Sequence, residues 1–111
     1  MRSTGDLLTP AADRLYVELW VSLASLLRSY TAAHGLNRKT QATVELGEER
    51  ILVRHGDDWI DLRRTGSRVN WRRANGGNGT AEMTEAGRLR SAEGEEEMDM
   101  AAERWARELM R

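Results

Sequence analysis

The sequence has no cysteine and no phenylalanine, and a single lysine, Lys39, among seventeen basic residues. Without cysteine there is no disulfide, no thiolate metal site and no cysteine nucleophile. Without phenylalanine, the aromatic bulk of any core falls to four tryptophans and two tyrosines. The near-total use of arginine over lysine points to a GC-rich genome, and a bacterial origin is expected. Charge of one sign is also missing: charged residues make up 32% of the chain, yet the formal charge is -1. Bulk electrostatics therefore favour neither nucleic acid nor a membrane surface.

A long apolar run is the last absence. The stretch from Leu15 to Leu27 is too short to cross a bilayer and is interrupted by Glu18. Ahead of it, Arg2 and Arg14 are offset by Asp6 and Asp13, so a cleaved signal is disfavoured. The expectation is a cytoplasmic protein with no membrane partner. A length of 111 residues suits one domain that buries about two-thirds of its unfolded surface. That domain is placed at residues 10–111, after a flexible segment at 1–9.

What is present is periodicity. Thr9-Pro10 opens a helix, because threonine accepts a bond from an orphan N–H and proline at the first helical position loses none. Gly35 closes it in a left-handed conformation, with Leu36 folding back as the accompanying apolar contact. Between them Glu18, Ser22, Ser25 and Ser29 form a narrow polar stripe. Tyr16, Leu19, Leu23, Leu26 and Tyr30 recur on the other side, flanked by Leu15, Trp20 and Leu27 and widened by Val17, Val21 and Ala24. This apolar sector is wider than one small sheet covers. Two uses compete: a helix cradled between a curved sheet and a second helix, or burial against a second copy of the chain. Tyr16, Leu19, Trp20, Leu23 and Leu27 are the candidate protein-interaction residues, and a homodimer is the expected state.

Residues 41–92 are punctuated differently. Strands are expected at Gln41–Leu46, Arg50–His55, Trp59–Arg64, Ser67–Arg73 and Thr80–Thr84, with a sixth short one at Arg88–Ala92. Turn chemistry separates them at Gly47, Gly56-Asp57-Asp58, Thr65-Gly66, Asn75–Gly79 and Glu85-Ala86-Gly87. Connections this short allow antiparallel neighbours alone. Alternation turns Val44, Leu46, Ile51, Val53, Ile60, Leu62, Val69, Trp71, Ala81 and Met83 inward. It turns Thr43, Glu45, Leu52, Arg54, Trp59, Asp61, Arg63, Arg68, Asn70 and Arg72 outward. A second helix is expected over about Glu95–Met110, with Met98, Ala101, Ala102, Trp105 and Leu109 on one side and glutamates at its start matching the macrodipole. The fold class is α+β: a two-layer sandwich in α-β5(6)-α order, an antiparallel meander packed by an N-terminal and a C-terminal helix.

Motifs for chemistry are scarce. His55-Gly56-Asp57-Asp58 holds metal-ligand residue types, but glycine and aspartate suit a turn for conformational reasons. His34 sits where a cation favours a helix end. The acidic run Glu93, Glu95, Glu96, Glu97 and Asp99 lacks an oxygen-ligand loop, and the Asn75–Gly79 loop lacks a phosphate-cradle ending. No cofactor, metal or catalytic residue is expected. The outward face is the second candidate surface: Arg54, Trp59, Arg63, Arg68 and Arg72 set guanidinium groups beside an aromatic, a combination that binds single-stranded nucleic acid. A solvated sheet face is often arginine-rich without binding anything, and the same face suits an acidic protein partner. Of the tryptophans, Trp20, Trp71 and Trp105 are expected to fill the core with each indole N–H satisfied, and Trp59 to be exposed. The reading is a small protein-interaction domain that self-associates. The alternatives are a nucleic-acid-binding domain using the basic face and, more weakly, a ligand-binding protein or enzyme with a pocket between the long helix and the sheet.

Overall fold

The computed structural model describes residues 10–111. The flexible segment expected at 1–9 lies outside the described residues. Helix α1 (Pro10–His34) leads into seven strands: β1 (Thr43–Leu46), β2 (Arg50–His55), β3 (Asp58–Thr65), β4 (Arg68–Arg73), β5 (Asn78–Met83), β6 (Arg88–Ser91) and β7 (Gly94–Glu97). Helix α2 (Met98–Leu109) follows. The strands make one sheet in chain order, each antiparallel to the next. The hairpins after β2 and β3 turn on Gly56 and Gly66 at φ 61° and 60°, a region where an added side chain is strained.

Both helices lie on one face of the sheet, giving the two layers that the alternation predicts. Ile51, Val53, Ile60, Leu62, Val69, Ala81, Met83 and Leu89 meet Trp20, Leu23, Ala24 and Leu27 of α1 and Met98, Ala101, Ala102, Trp105 and Leu109 of α2. Burying one such leucine or isoleucine contributes about 1.5–3 kcal/mol. α1 covers the β1 side of the sheet, whereas α2 lies over β3, β6 and β7. The helices run side by side in the same direction. The Tyr30 hydroxyl donates to Asp99 Oδ1 at 2.6 Å, and His34 Nε2 lies 2.9 Å from Glu103 Oε2. The hydrogen bond to Asp99, then burial and the charges of Asp99 and Glu103, raise the Tyr30 pKa.

Three expectations need correction. Gly35 ends α1 without a left-handed conformation. Its N–H donates to Thr31 and Ala32 carbonyls, and a Cβ there would meet Met110 Cε at 2.9 Å and Thr31 O at 3.0 Å. The tighter constraint is the Thr31 carbonyl, since the Met110 methyl can move aside, and Leu36 does not fold back but is 81% exposed. Second, Glu95, Glu96 and Glu97 belong to β7, so α2 starts at Met98 with Asp99 alone as the acid of its first turn. A glycine followed by three glutamates has helix-start composition. Pairing with β6 overrides that local preference. Third, the Trp105 indole N–H is buried without a partner, whereas Trp20 Nε1 donates to Gly47 O at 3.0 Å as expected.

Leu23 and Val21 test the intrachain packing of α1. Leu23→Ala is expected to cost about 2–5 kcal/mol in denaturant unfolding. Val21→Ala, at an exposed position, should stay within about 0.5 kcal/mol. Equal costs would mean that α1 is not seated as described.

Candidate functional site

The face of the sheet opposite the helices carries no covering layer among the described residues. Cross-strand register sets out its side chains in rows. One row runs Glu45, Leu52, Asp61, Arg72 and Asn78; another runs Arg50, Arg63, Asn70 and Thr80; a third alternates Arg68, Glu82, Arg90 and Glu95. Opposite charges placed directly across strands attract, so Asp61 with Arg72 and the third row help to hold the register, whereas Arg50 and Arg63 are like charges directly opposite.

Asp61 is the centre of this face. Its flanks Ile60 and Leu62 point into the core, so its own side chain points out, yet it is 3% exposed. Arginines bury it. Arg50 approaches with two nitrogens, Nε to Oδ1 at 3.0 Å and Nη2 to Oδ2 at 3.2 Å. Arg63 Nη2 lies 3.3 Å from Oδ2 and Arg72 Nη2 3.7 Å from it. Burial by itself pushes the Asp61 carboxyl up, but hydrogen bonds and charge from Arg50 and Arg63 outweigh it and hold the pKa below the usual carboxylate value. The same contact, led by the Asp61 hydrogen bond, raises Arg50. Three guanidiniums thus surround one carboxylate, and their side chains stay 49%, 57% and 67% exposed.

The other arginines of the expected basic patch are paired. Arg54 meets Glu45 and Arg68 meets Glu82. Trp59, expected to be exposed, is half-buried. So the structure gathers Arg54, Trp59, Arg63, Arg68 and Arg72 on one face as expected, but as a mosaic of both signs.

The candidate interaction residues of α1 fare differently. Trp20, Leu23 and Leu27 are fully buried in the chain's own core, and Tyr16 and Leu19 pack half-buried against it. A partner cannot touch the first three while the chain is folded. For these three the cradle between the sheet and the second helix, the first of the two competing uses, is what the structure has: α2 alongside covers the side of α1 that the sheet leaves. What remains outside is Val17, Val21 and, from β1, Leu46, at 38%, 44% and 37% exposure around a shared recess.

The space between α1 and the sheet, where a ligand pocket was the weakest reading, is filled by Trp20, Leu23, Leu27, Ile51 and Val53. His55 Nε2 lies 3.2 Å from Thr40 O, and Asp58 accepts the Trp59 N–H at 2.9 Å, as a turn requires. Among the described residues no three His, Asp or Glu side chains are grouped to hold a metal, and no helix is long and apolar enough to cross a membrane. Two features escaped the sequence: the burial of Asp61, and a cleft under Trp71 and Trp105. An aspartate placed mid-strand between apolar neighbours was the available signal for the first.

Asp61→Asn should destabilise the fold by about 1–3 kcal/mol at neutral pH, less than a fully enclosed pair because the arginines are half in water. A depressed carboxylate stabilises above its unfolded pKa of about 3.9 and loses that contribution as pH falls through the lower folded value. Wild-type and variant stabilities, measured by denaturant unfolding, are therefore expected to differ at neutral pH and to converge in strong acid. A gap that persists there contradicts the pairing. Comparison of the chain with protein-family models, with curated proteins and with solved structures finds no match in any of the three.

Proposed function

We propose that the protein is a small protein-interaction domain whose open sheet face receives an acidic patch of a partner protein. The carrying observation is the imbalance at Asp61, where three guanidiniums share one carboxylate and keep outward donors in excess. Leu52 and Trp59, half-buried beside them, supply apolar contact. A protein partner suits this face better than nucleic acid. Glu45, Glu82 and Glu95 are interleaved with the arginines and would repel a continuous phosphate backbone, and Trp59 is a lone, half-covered stacking platform.

A titration with a hexaglutamate peptide tests this reading. Binding is expected to weaken with added salt, and Arg63→Gln with Arg72→Gln to weaken it about tenfold, or 1.4 kcal/mol. Tighter binding of an oligothymidylate at the same salt would replace the proposal with the nucleic-acid one, and no binding of the peptide would end it.

A second reading is favoured by Val17, Val21 and Leu46. They lie beside β1, whose outer edge has no neighbouring strand among the described residues. An edge strand is complementary to its own two-fold copy, and such pairing, which would displace the Arg28 bond to the Val44 carbonyl, would bring the two valine ridges together. Sedimentation velocity is expected to show a dimer that Val21→Glu converts to monomer. A wild-type monomer at high micromolar concentration rules the pairing out.

A further inference from the structure

The sheet opens between β5 and β6. Their register covers two pairs, Glu82 with Arg90 and Met83 with Leu89, although β5 reaches back to Asn78. The chain instead turns at Ala92-Glu93 into β7, so residues 78–81 have no paired strand on that side. The direction of their backbone groups follows from the bonds to β4. Arg73 N–H donates to Gly77 O and Met83 N–H to Ser67 O, each at 2.7 Å, so the odd positions of β5 face β4. Alternation then turns the N–H and C=O of Asn78 and Thr80 toward the gap.

This gap leads into a cleft of about 610 Å³, within the range of ligand sites. Trp71, Leu89 and Trp105 line it on the helix side, and Glu93, Glu95 and Glu96 line it along the hairpin. The Trp71 ring lies over Gly79, where a Cβ would come within 2.6 Å of it, and is tilted 58° to Trp105 with ring centres 6.2 Å apart. The one guanidinium at the cleft, Arg104, pairs with Glu96 and sits 5.5 Å from the Trp105 ring centre. It shows the kind of group that the site holds: a planar cation between an indole face and a carboxylate. Glu95 is paired with Arg88 at 3.1 Å, so Glu93 is the carboxylate left over at the cleft, and the buried Trp105 Nε1 has no acceptor.

We propose that this cleft binds an extended peptide segment bearing an arginine or lysine, its backbone pairing with Asn78–Thr80 and its cationic side chain lying against Trp71 among the hairpin carboxylates. Each part answers an observation. The unpaired strand edge calls for an extended backbone, which is how sheets recruit peptides. The acidic, indole-lined wall selects a cation over an anion or a neutral chain. The site opens at the β5 rim, where Asn78, Thr80 and Glu95 border both the cleft and the open face, while its indole wall belongs to the helix side.

The test is a ¹H–¹⁵N NMR titration of the full chain with three probes: acetyl-Thr-Arg-Thr-amide, acetyl-Thr-Glu-Thr-amide and argininamide. The basic peptide is expected to move the Trp105 indole and Thr80 amide signals saturably, and the acidic peptide to leave them in place. Argininamide should move the indole signals more weakly and leave the Thr80 amide alone. Glu93→Gln should weaken the basic peptide about fivefold. Thr80→Pro, which deletes the cleft-facing N–H and the hydroxyl bond to Asn70 while leaving the backbone bonds to β4, should weaken the peptide but not argininamide. Thr80→Ala, which loses the hydroxyl bond alone, should weaken neither. The proposal is overturned if the basic peptide leaves both signals unmoved, or if both peptides move them equally. Binding of argininamide as tight as that of the peptide would remove the strand-pairing part in favour of a small free cation.

Discussion

A seven-stranded sheet is wider than two helices, and this mismatch governs most of what the molecule exposes. Strand spacing sets about 29 Å from β1 to β7. Two helices packed at about 8–10 Å apart cover roughly 20 Å of that width. The apolar face is continuous along the strands, so some of it must finish at the rims. At one rim, α1 leaves Val17, Val21 and Leu46 in partial contact with water. At the other, the β6–β7 hairpin swings from β5 and leaves a cleft walled by indoles. Large aromatics suit such a border, because one ring edge can be packed while the other stays accessible.

The uncovered face meets a different constraint. Side-chain period places Asp61 in the middle of the sheet, where neighbouring strands exclude water from it. A carboxylate so enclosed must be neutralised or compensated. Arg50, opposite Arg63 in the register, reaches diagonally and binds it with two nitrogens. Two long cations side by side across strands would otherwise repel, so Asp61 also makes that pairing tolerable. The edges are guarded by related means. β1 is four residues long and Arg28 donates to its Val44 carbonyl at 3.4 Å, while β7 carries three consecutive glutamates. Short strands and edge charge discourage unplanned sheet extension.

How much of this was legible depends on the length scale of the signal. Strand β2 and the start of α1 follow from period and turn chemistry alone, and Ile51, Val53, Ile60, Leu62, Val69 and Met83 are buried as their alternation requires. β7 was not legible, because three glutamates after a glycine prefer a helix start and only the partner strand β6 makes them a strand. Of the two uses open for the wide apolar side of α1, the cradle between sheet and second helix is the one that covers Leu23 and Leu27, and it does so largely through α2. The basic face was visible as residues but not as charge: the carboxylates that partner Arg54 and Arg68, Glu45 and Glu82, come from other strands, and only register brings them together. The cleft was legible only in part: Trp71 and Gly79 are partners across the β4–β5 hairpin, but Trp105 is far off in sequence and meets Trp71 through tertiary packing.

The two rims differ in what they leave unfinished. Around Val17, Val21 and Leu46 the exposed groups are apolar, and scattered apolar exposure of that size is ordinary for a soluble surface. The β5–β6 rim instead leaves polar groups without partners: the Trp105 indole N–H is buried and unpaired, and the backbone of Asn78 and Thr80 faces a gap. An unpaired buried donor costs about 1–3 kcal/mol, far more than a wet valine. Arg73 Nε is also buried without a partner, but its other guanidinium nitrogens meet Asp58 and Glu108, whereas the indole N–H has no second donor atom to satisfy its group. Departures from local agreement concentrate where a protein does its work. The cleft, not the valine ridge, is where this chain departs from it. A ligand that supplies a strand edge would pair the backbone groups of Asn78 and Thr80 on binding, which is the physical reason for giving the cleft priority.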